Sequence, residues 1–238
     1  MKSEAQIQEI VTSLLTWFDL HGRRFPWRFK EEGYHVLVTE FLLQRTRAST
    51  ALIAYTKFFK LYPTLRRLAD VNETILTQFF SPFGLEYRGA RLSELAKEIE
   101  ERYEGKVPCD LNELLRLHGV GVYIASAVLN FACRLPTPVV DKNVMRVLNR
   151  HFGIVRESDG RNLVSSMYIH GDNRKLAYAL IDVGAIACLD KECKCPLGGF
   201  LPSYPLQKNR WRMLRKVVKE DGSVALREQP VVSSRRAA

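Results

Sequence analysis

Apolar residues recur at three- and four-residue intervals along almost the whole chain, and hardly any stretch alternates as a strand would. Ile7, Ile10, Val11, Leu14, Leu15 and Phe18 fall on one helical face, and this first helix should stop near His21-Gly22. Residues 34–59 read as one or two helices, closed off by Pro63. Further helices are expected over 64–69, 72–80, 88–103, 111–117, 123–133, 143–151, 160–168 and 174–187. The one β-like run ahead of the C-terminal segment, Pro138-Val139-Val140, is too short to build a sheet. The pattern predicts an all-α protein, without internal repeats or low-complexity tracts.

The 238 residues suffice to bury a substantial core, as one large domain or two small, closely packed ones. With 46% hydrophobic and 26% charged residues, and only 14 Gly and 10 Pro, the chain is not largely disordered, collagen-like or a disulfide miniprotein. Apolar runs such as Ala125–Ala132 fall short of the roughly 18–20 residues a membrane span needs. The opening residues carry Glu4 and Glu9 and no apolar signal core. A soluble, monomeric intracellular protein of cytoplasm or nucleoid is expected, with no membrane partner. Five cysteines, three of them crowded at Cys188, Cys193 and Cys195, read as reduced thiols, with a metal or cluster relic in the crowded segment.

The net charge of +10 is unevenly placed. The 34 residues after Tyr204 hold nine basic side chains against three acidic ones, a net +6, which leaves +4 for the preceding 204. Such an excess suits a polyanion, nucleic acid first, and equally suits a well-solvated surface. Charge alone does not choose between them.

Two segments carry more chemistry. In Leu114–Val128 a helix ends, Gly119-Val120-Gly121 makes a tight turn, and a second apolar helix begins at once. Amides opening that helix suit an anion such as one DNA phosphate, although a plain helical hairpin with a glycine cap has the same pattern. Twenty residues on, Pro136 and Pro138 enforce an extended entry to Asp141, which sits where a helix starts. A capping carboxylate accepts backbone N–H bonds and feels the positive helix end, which should keep Asp141 ionised. At the rim of a cleft such a carboxylate can stabilise an oxocarbenium-like sugar cation.

Leu-x-x-Leu-x-Gly-Val-Gly followed by Val-Asp-x-Asn-Val-x-Arg-Val-Leu-x-Arg resembles the helix-hairpin-helix base-excision DNA glycosylases, the endonuclease III superfamily. The resemblance covers roughly residues 5–205. It extends to Phe25-Pro26-Trp27-Arg28, to Thr39–Thr46, and to Gly84-Leu85, Tyr87-Arg88, Ala90 and Leu92. The adenine glycosylases and the thymine glycosylases of G·T mismatches are the most similar branches. The resemblance implies that Asp141 is the essential aspartate. It places Tyr123 where bifunctional members have a lysine nucleophile; a phenol cannot form a Schiff base, so activated water and an abasic product are implied. Tyrosine there is most similar to the thymine branch, since adenine glycosylases usually have serine. Glu40 is implied to enter the cleft and act on the flipped base or position water; its apolar neighbours alone would equally allow it to face solvent. Gln44 and Arg45 match the loop that fills the hole left by the extruded base. Gly119, Val120, Gly121, Lys142 and Arg88 complete the implied DNA contacts. His118 stands where the family usually has proline and reads as an exposed surface group.

Many relatives hold a [4Fe–4S] cluster with spacing C-x6-C-x2-C-x5-C. Cys188 and Cys195 fit the first interval, but Gly198 and Tyr204 occupy the last two places and Cys193 falls off register. Three cysteines spaced C-x4-C-x-C could hold zinc with an outside ligand, though that spacing is not a usual zinc site. The preferred reading is a degenerate, metal-free loop packed by Leu197, Phe200, Leu201 and Tyr204, with no iron–sulfur cluster or other cofactor.

The resemblance implies two helical lobes, a central one near 29–135 bearing the hairpin and a second from 1–28 plus 136–204, with a catalytic cleft between them. The implied activity is hydrolysis of the N-glycosidic bond of a flipped base in double-stranded DNA, thymine or uracil opposite guanine. The alternatives are an adenine glycosylase, which typically adds a C-terminal reader domain of over a hundred residues, and a non-catalytic DNA-binding module. Residues 205–238 are expected as a basic tail adding phosphate contacts. In it, Leu206, Trp211, Leu214 and Val218 suit one face of a short helix, or 217–226 a hairpin about Asp221-Gly222.

Overall fold

The computed structural model describes residues 3–44, 46–199, 206–207 and 210–231, so Arg45, Phe200, Leu201 and Tyr204 lie outside the described residues. The chain opens on α1 (Glu4–His21). Ser3 and Gln6 form a reciprocal capping box, in which Ser3 Oγ accepts from the Gln6 N–H and Gln6 Oε1 from the Ser3 N–H.

One compact unit comprises Arg24–Cys133. After a 3-10 turn at Pro26–Phe29 come α2 (Gly33–Leu43), α3 (Ala48–Leu61), α4 (Leu65–Ala69), α5 (Glu73–Phe80), α6 (Tyr87–Tyr103), α7 (Leu111–Arg116) and α8 (Val122–Phe131). The expected 34–59 segment is therefore two helices. α2 is buried at Tyr34 and at every residue from Val36 to Leu42, and α8 along most of its length, so these two apolar helices pack together as the unit's core. α4 and α5 pack on α6.

Cys109 and Cys133 are joined as a disulfide, with Cα atoms 5.8 Å apart, within the reach such a bond allows. This corrects the expectation of five reduced thiols. The two cysteines lie far apart in sequence, and only the return of α8 alongside the start of α7 brings them together.

The other unit comprises Met1–Arg23 and Arg134–Ala238. It holds α1, α9 (Lys142–Phe152), α10 (Glu157–Tyr168) and α11 (Asn173–Asp182), whose end widens into a π-helical turn at Val183–Ala187. α1 packs on α11, and the join is pinned by Asp182, fully buried, which pairs with Arg23 Nη2 at 2.6 Å and accepts the Arg23 N–H at 2.8 Å. Among the described residues no helix is long and apolar enough to cross a membrane.

The C-terminal segment is an antiparallel hairpin, β1 (Arg212–Val218) and β2 (Val224–Pro230), with Gly222 at φ +77° in the turn. The helix suggested by the spacing of Trp211, Leu214 and Val218 does not form. Val217, Val218 and Val224 favour extended backbone, Asp221-Gly222 favours the turn, and docking settles the contest. Trp211 and Met213 are buried, the Arg212 N–H donates to Val155 O at 2.8 Å, and the Leu214 N–H donates to Glu157 Oε2 at 2.9 Å. The hairpin is thus an edge of this unit rather than a loose tail.

Candidate active site

In the hairpin between α7 and α8, Asp110 caps α7 by accepting the N–H groups of Asn112 and Glu113. α8 is opened by Gly121, and among the described residues no side chain caps its first turn. The two glycines answer to different constraints. Gly119 has φ +72° and faces the Phe41 ring, where an added Cβ would stand 3.1 Å from the nearest ring atom. Gly121 has φ −102° and ψ 179°, a conformation open to any residue, and nothing of the protein lies within 4 Å of where its Cβ would be. The fold therefore requires Gly119, whereas at Gly121 neither the backbone conformation nor the packing demands glycine. Val120 is buried, so only its backbone can serve a ligand, and His118 is exposed and pairs with Glu94 at 2.9 Å.

The same unit carries Glu40 and Tyr123. Glu40 lies on α2 next to Phe41 and is only 6% exposed, which removes the solvent-facing alternative. Tyr123 is half-buried in the first turn of α8, the helix against which α2 packs. Gln44 is the partly exposed C-cap of α2.

Arg88 differs from its expected role. Its side chain is fully buried, and Nη1 donates to Leu42 O at 3.0 Å and Thr46 Oγ1 at 3.1 Å. Buried at 0% exposure, the guanidinium does not present itself to a phosphate at the surface; through Nη1 it braces the end of α2 and Thr46 from inside. Its position in the helical pattern of α6 points it inward with Leu92, Leu95 and Ile99.

Asp141 and Lys142 belong to the other unit. Asp141 caps α9: Oδ1 accepts the Val144 N–H at 2.7 Å and Oδ2 accepts from Asn143 Nδ2 at 2.9 Å. Pro138 O is held by Arg161 Nη1 at 2.8 Å, and Val139 and Val140 are buried, so the approach to Asp141 is fixed. Burial pushes the Asp141 carboxyl above the ordinary carboxylate value, against the lowering pull of the Val144 N–H, Asn143 and Arg146. The capping argument alone predicted the opposite sign; desolvation outweighs the N–H bonds. Lys142 is exposed at the first position of α9.

Sequence reasoning missed three supporting residues. Gly184, in the π turn, has the Asn143 carbonyl 2.5 Å from its would-be Cβ, so no larger residue lets the turn press against the start of α9. Arg146 donates Nε to Cys188 O at 2.7 Å and Nη2 to Asn143 Oδ1 at 2.9 Å, linking the neighbour of Asp141 to the cysteine loop. His151, in the last turn of α9, is 1% exposed and turns Nε2 toward Cys195 Sγ at 3.0 Å and Cys193 Sγ at 3.4 Å. A lone histidine 37 residues ahead of Cys188 gave no signal of that meeting.

The loop expected to pack without metal does bury Cys188, Cys195 and Leu197. It also brings its three thiols to the imidazole of His151, with all four ligand atoms within 4.8 Å of one another, a group able to hold a metal ion.

Comparison with known proteins supplies a context for both units. Residues 38–164 match the family described as HhH-GPD superfamily base excision DNA repair protein. The chain is 38% identical over 153 residues to a thymine-DNA glycosylase of Aeropyrum pernix, a match covering 63% of this chain and 69% of that protein. It is 30% identical over 202 residues to an adenine DNA glycosylase of Buchnera aphidicola, covering 81% of this chain and 57% of that one. Among solved structures it is similar to a thermostable thymine-DNA glycosylase, with TM-score 0.77 and 29% identity, covering 84% of this chain and 97% of that chain.

Proposed function

Because the chain belongs to the HhH-GPD superfamily of base excision DNA repair proteins, we propose that it is a monofunctional DNA glycosylase that removes thymine or uracil opposite guanine from double-stranded DNA. The observation that carries this reading is Asp141: a single carboxylate capping α9, held by Val144 and Asn143 and partly withdrawn from water. Its negative charge stabilises the sugar cation that forms as the glycosidic bond breaks. Glu40 acts on the departing base or holds the attacking water. A mispaired base costs less to flip out than a Watson–Crick one, which supplies part of the selectivity, and Gln44 with Arg45 fills the vacated stack. Gly119-Val120-Gly121 receives a phosphate on the uncapped end of α8, where Gly121 leaves room for it, and Lys142 adds a second phosphate contact. Tyr123 offers no amine, so the product is an intact strand with an abasic site. Hydrolysis of this kind calls on no redox cofactor, and none is assigned to it.

The relatives named thymine glycosylases support the substrate, and the similarity to adenine glycosylases keeps adenine as the second reading. Single-turnover excision from G·T, G·U, A·T and adenine opposite 8-oxoguanine, in one sequence context, separates them. Thymine and uracil release from the first two duplexes is expected, with strand breaks only after added alkali. Faster adenine release transfers the case to the adenine reading, and efficient borohydride trapping defeats the water mechanism. No release from any duplex favours a binding module.

A further inference from the structure

The cysteine loop draws its thiols into a smaller space than the four protein sulfurs of an iron–sulfur cluster span. Cys188 and Cys193 pair as an isolated antiparallel bridge, with the Leu189 N–H donating to Glu192 O and the Lys194 N–H to Ala187 O, each at 2.8 Å. This tight turn aims Cys188, Cys193 and Cys195 at one point from one side. His151 closes it from α9, a separate element. Cys193 Sγ and Cys195 Sγ stand 3.1 Å apart, and every pair of the four ligand atoms lies within 4.8 Å.

A four-iron cluster spreads its four thiolates over four metal atoms, so its protein sulfurs stand well apart. Here the donors number three sulfurs and one imidazole, and they surround the space of one atom. They do not fit the cluster that relatives hold. A single tetrahedral zinc, with Zn–S about 2.3 Å and Zn–N about 2.0–2.1 Å, sets its ligand atoms roughly 3.5–3.8 Å apart. Donor pairs from 3.0 Å up to at most 4.8 Å bracket that spacing.

We propose that His151, Cys188, Cys193 and Cys195 bind one structural Zn²⁺ in place of the iron–sulfur cluster. The surroundings suit the charge. Three thiolates on a divalent ion leave one net negative charge, and Arg150, 8% exposed, donates Nη1 to Cys188 Sγ at 3.3 Å. Such N–H contacts to ligating sulfur hold thiolates in place and tune the metal. Binding releases the thiol protons to solvent, and the four ligands leave no open position for substrate. The ion's work is mechanical. It ties the last turn of α9 to the loop after the π turn, while Asp141 caps the other end of the same helix, about 15 Å away along its axis.

The test uses the full chain, purified under reducing conditions and also stripped of metal. Elemental analysis is expected to find about one zinc per chain and no acid-labile sulfide. Titrating Co²⁺ into stripped protein should give a saturable one-to-one visible spectrum with thiolate-to-cobalt charge transfer. His151→Cys should keep the metal, and His151→Gln should weaken it at least ~10-fold. Since His151→Gln removes a buried ring and risks misfolding, Cys193→Ser, at the less buried position, provides a second variant with the same expected loss. About four irons with sulfide per chain would overturn the proposal. So would wild-type protein that is folded, metal-free and silent to both Zn²⁺ and Co²⁺.

Discussion

Arg88 reaches through the core of its unit to the hydroxyl of Thr46, 3.1 Å from Nη1, and that hydroxyl donates in turn to Gln44 O at 3.1 Å. The residue proposed to fill the vacated base stack is therefore held from behind by a buried cation.

Arg88→Met should keep much of the volume, strand the Leu42 carbonyl and Thr46 hydroxyl, and cost about 2–3 kcal/mol of stability. Excision should fall, yet the slope of log affinity against log salt should stay at the wild-type value. A residue that touched phosphate would lower that slope by about 0.9. Salt-dependent binding of the variant decides the matter.

Asp141→Asn retains a capping oxygen for the Val144 N–H but no charge. Single-turnover excision should drop at least ~100-fold while DNA binding persists. Because burial raises the carboxyl's pKa in the folded chain, wild-type activity should fall as pH drops through a value above the ordinary carboxylate range of about 4. The stability consequence has the reverse sense. The folded state holds the proton more tightly than the unfolded one, so stability contributed by the protonated form is lost as pH rises from the unfolded toward the folded pKa. A carbon-13 NMR titration of the Asp141 carboxyl in the folded chain checks the direction, and a midpoint at or below the ordinary carboxylate range of about 4 would refute the raised pKa.

The disulfide brackets the hairpin, with Cys109 just before α7 and Cys133 just after α8, 24 residues apart. Closing a loop of that length stabilises the native state by about 3–4 kcal/mol in the chain-entropy account. Cys109→Ser with Cys133→Ser should lower Tm by roughly 10 °C. Equal melting of oxidised and reduced wild-type protein would show the bond contributes nothing.

In the β hairpin Arg215 stands directly opposite Arg227, and both are exposed. Like charges in register repel, and an exposed pair of this kind suits a polyanion. Arg227→Ala, which spares the attraction of Arg215 for the buried Glu157 carboxylate, should leave Tm unchanged or slightly raised and lower the salt slope of DNA binding by up to about 0.9. An unchanged slope would restrict the hairpin to covering α10.

Helix positions were legible in the sequence because they rest on local chemistry. Three- and four-residue apolar spacing, Asp141 as a cap, and Gly119 at a left-handed turn each act within a few residues of chain. The hairpin and the aspartate twenty residues beyond it could therefore be read as a pair, and the family with them. Burial is not local. Whether Arg88 faced DNA or core, whether Glu40 met water, and whether the cap or desolvation ruled Asp141 depended on what packed on the far side of each helix. The valine-rich C-terminal segment suited helix or strand until the backbone groups of Val155 and the carboxylate of Glu157 gave β1 its partners. Cys109 with Cys133, and His151 with the cysteine loop, are meetings across tens of residues. The reach of a side chain is a few ångströms, so only the folded path of the backbone determines which distant thiols and imidazoles share one point in space.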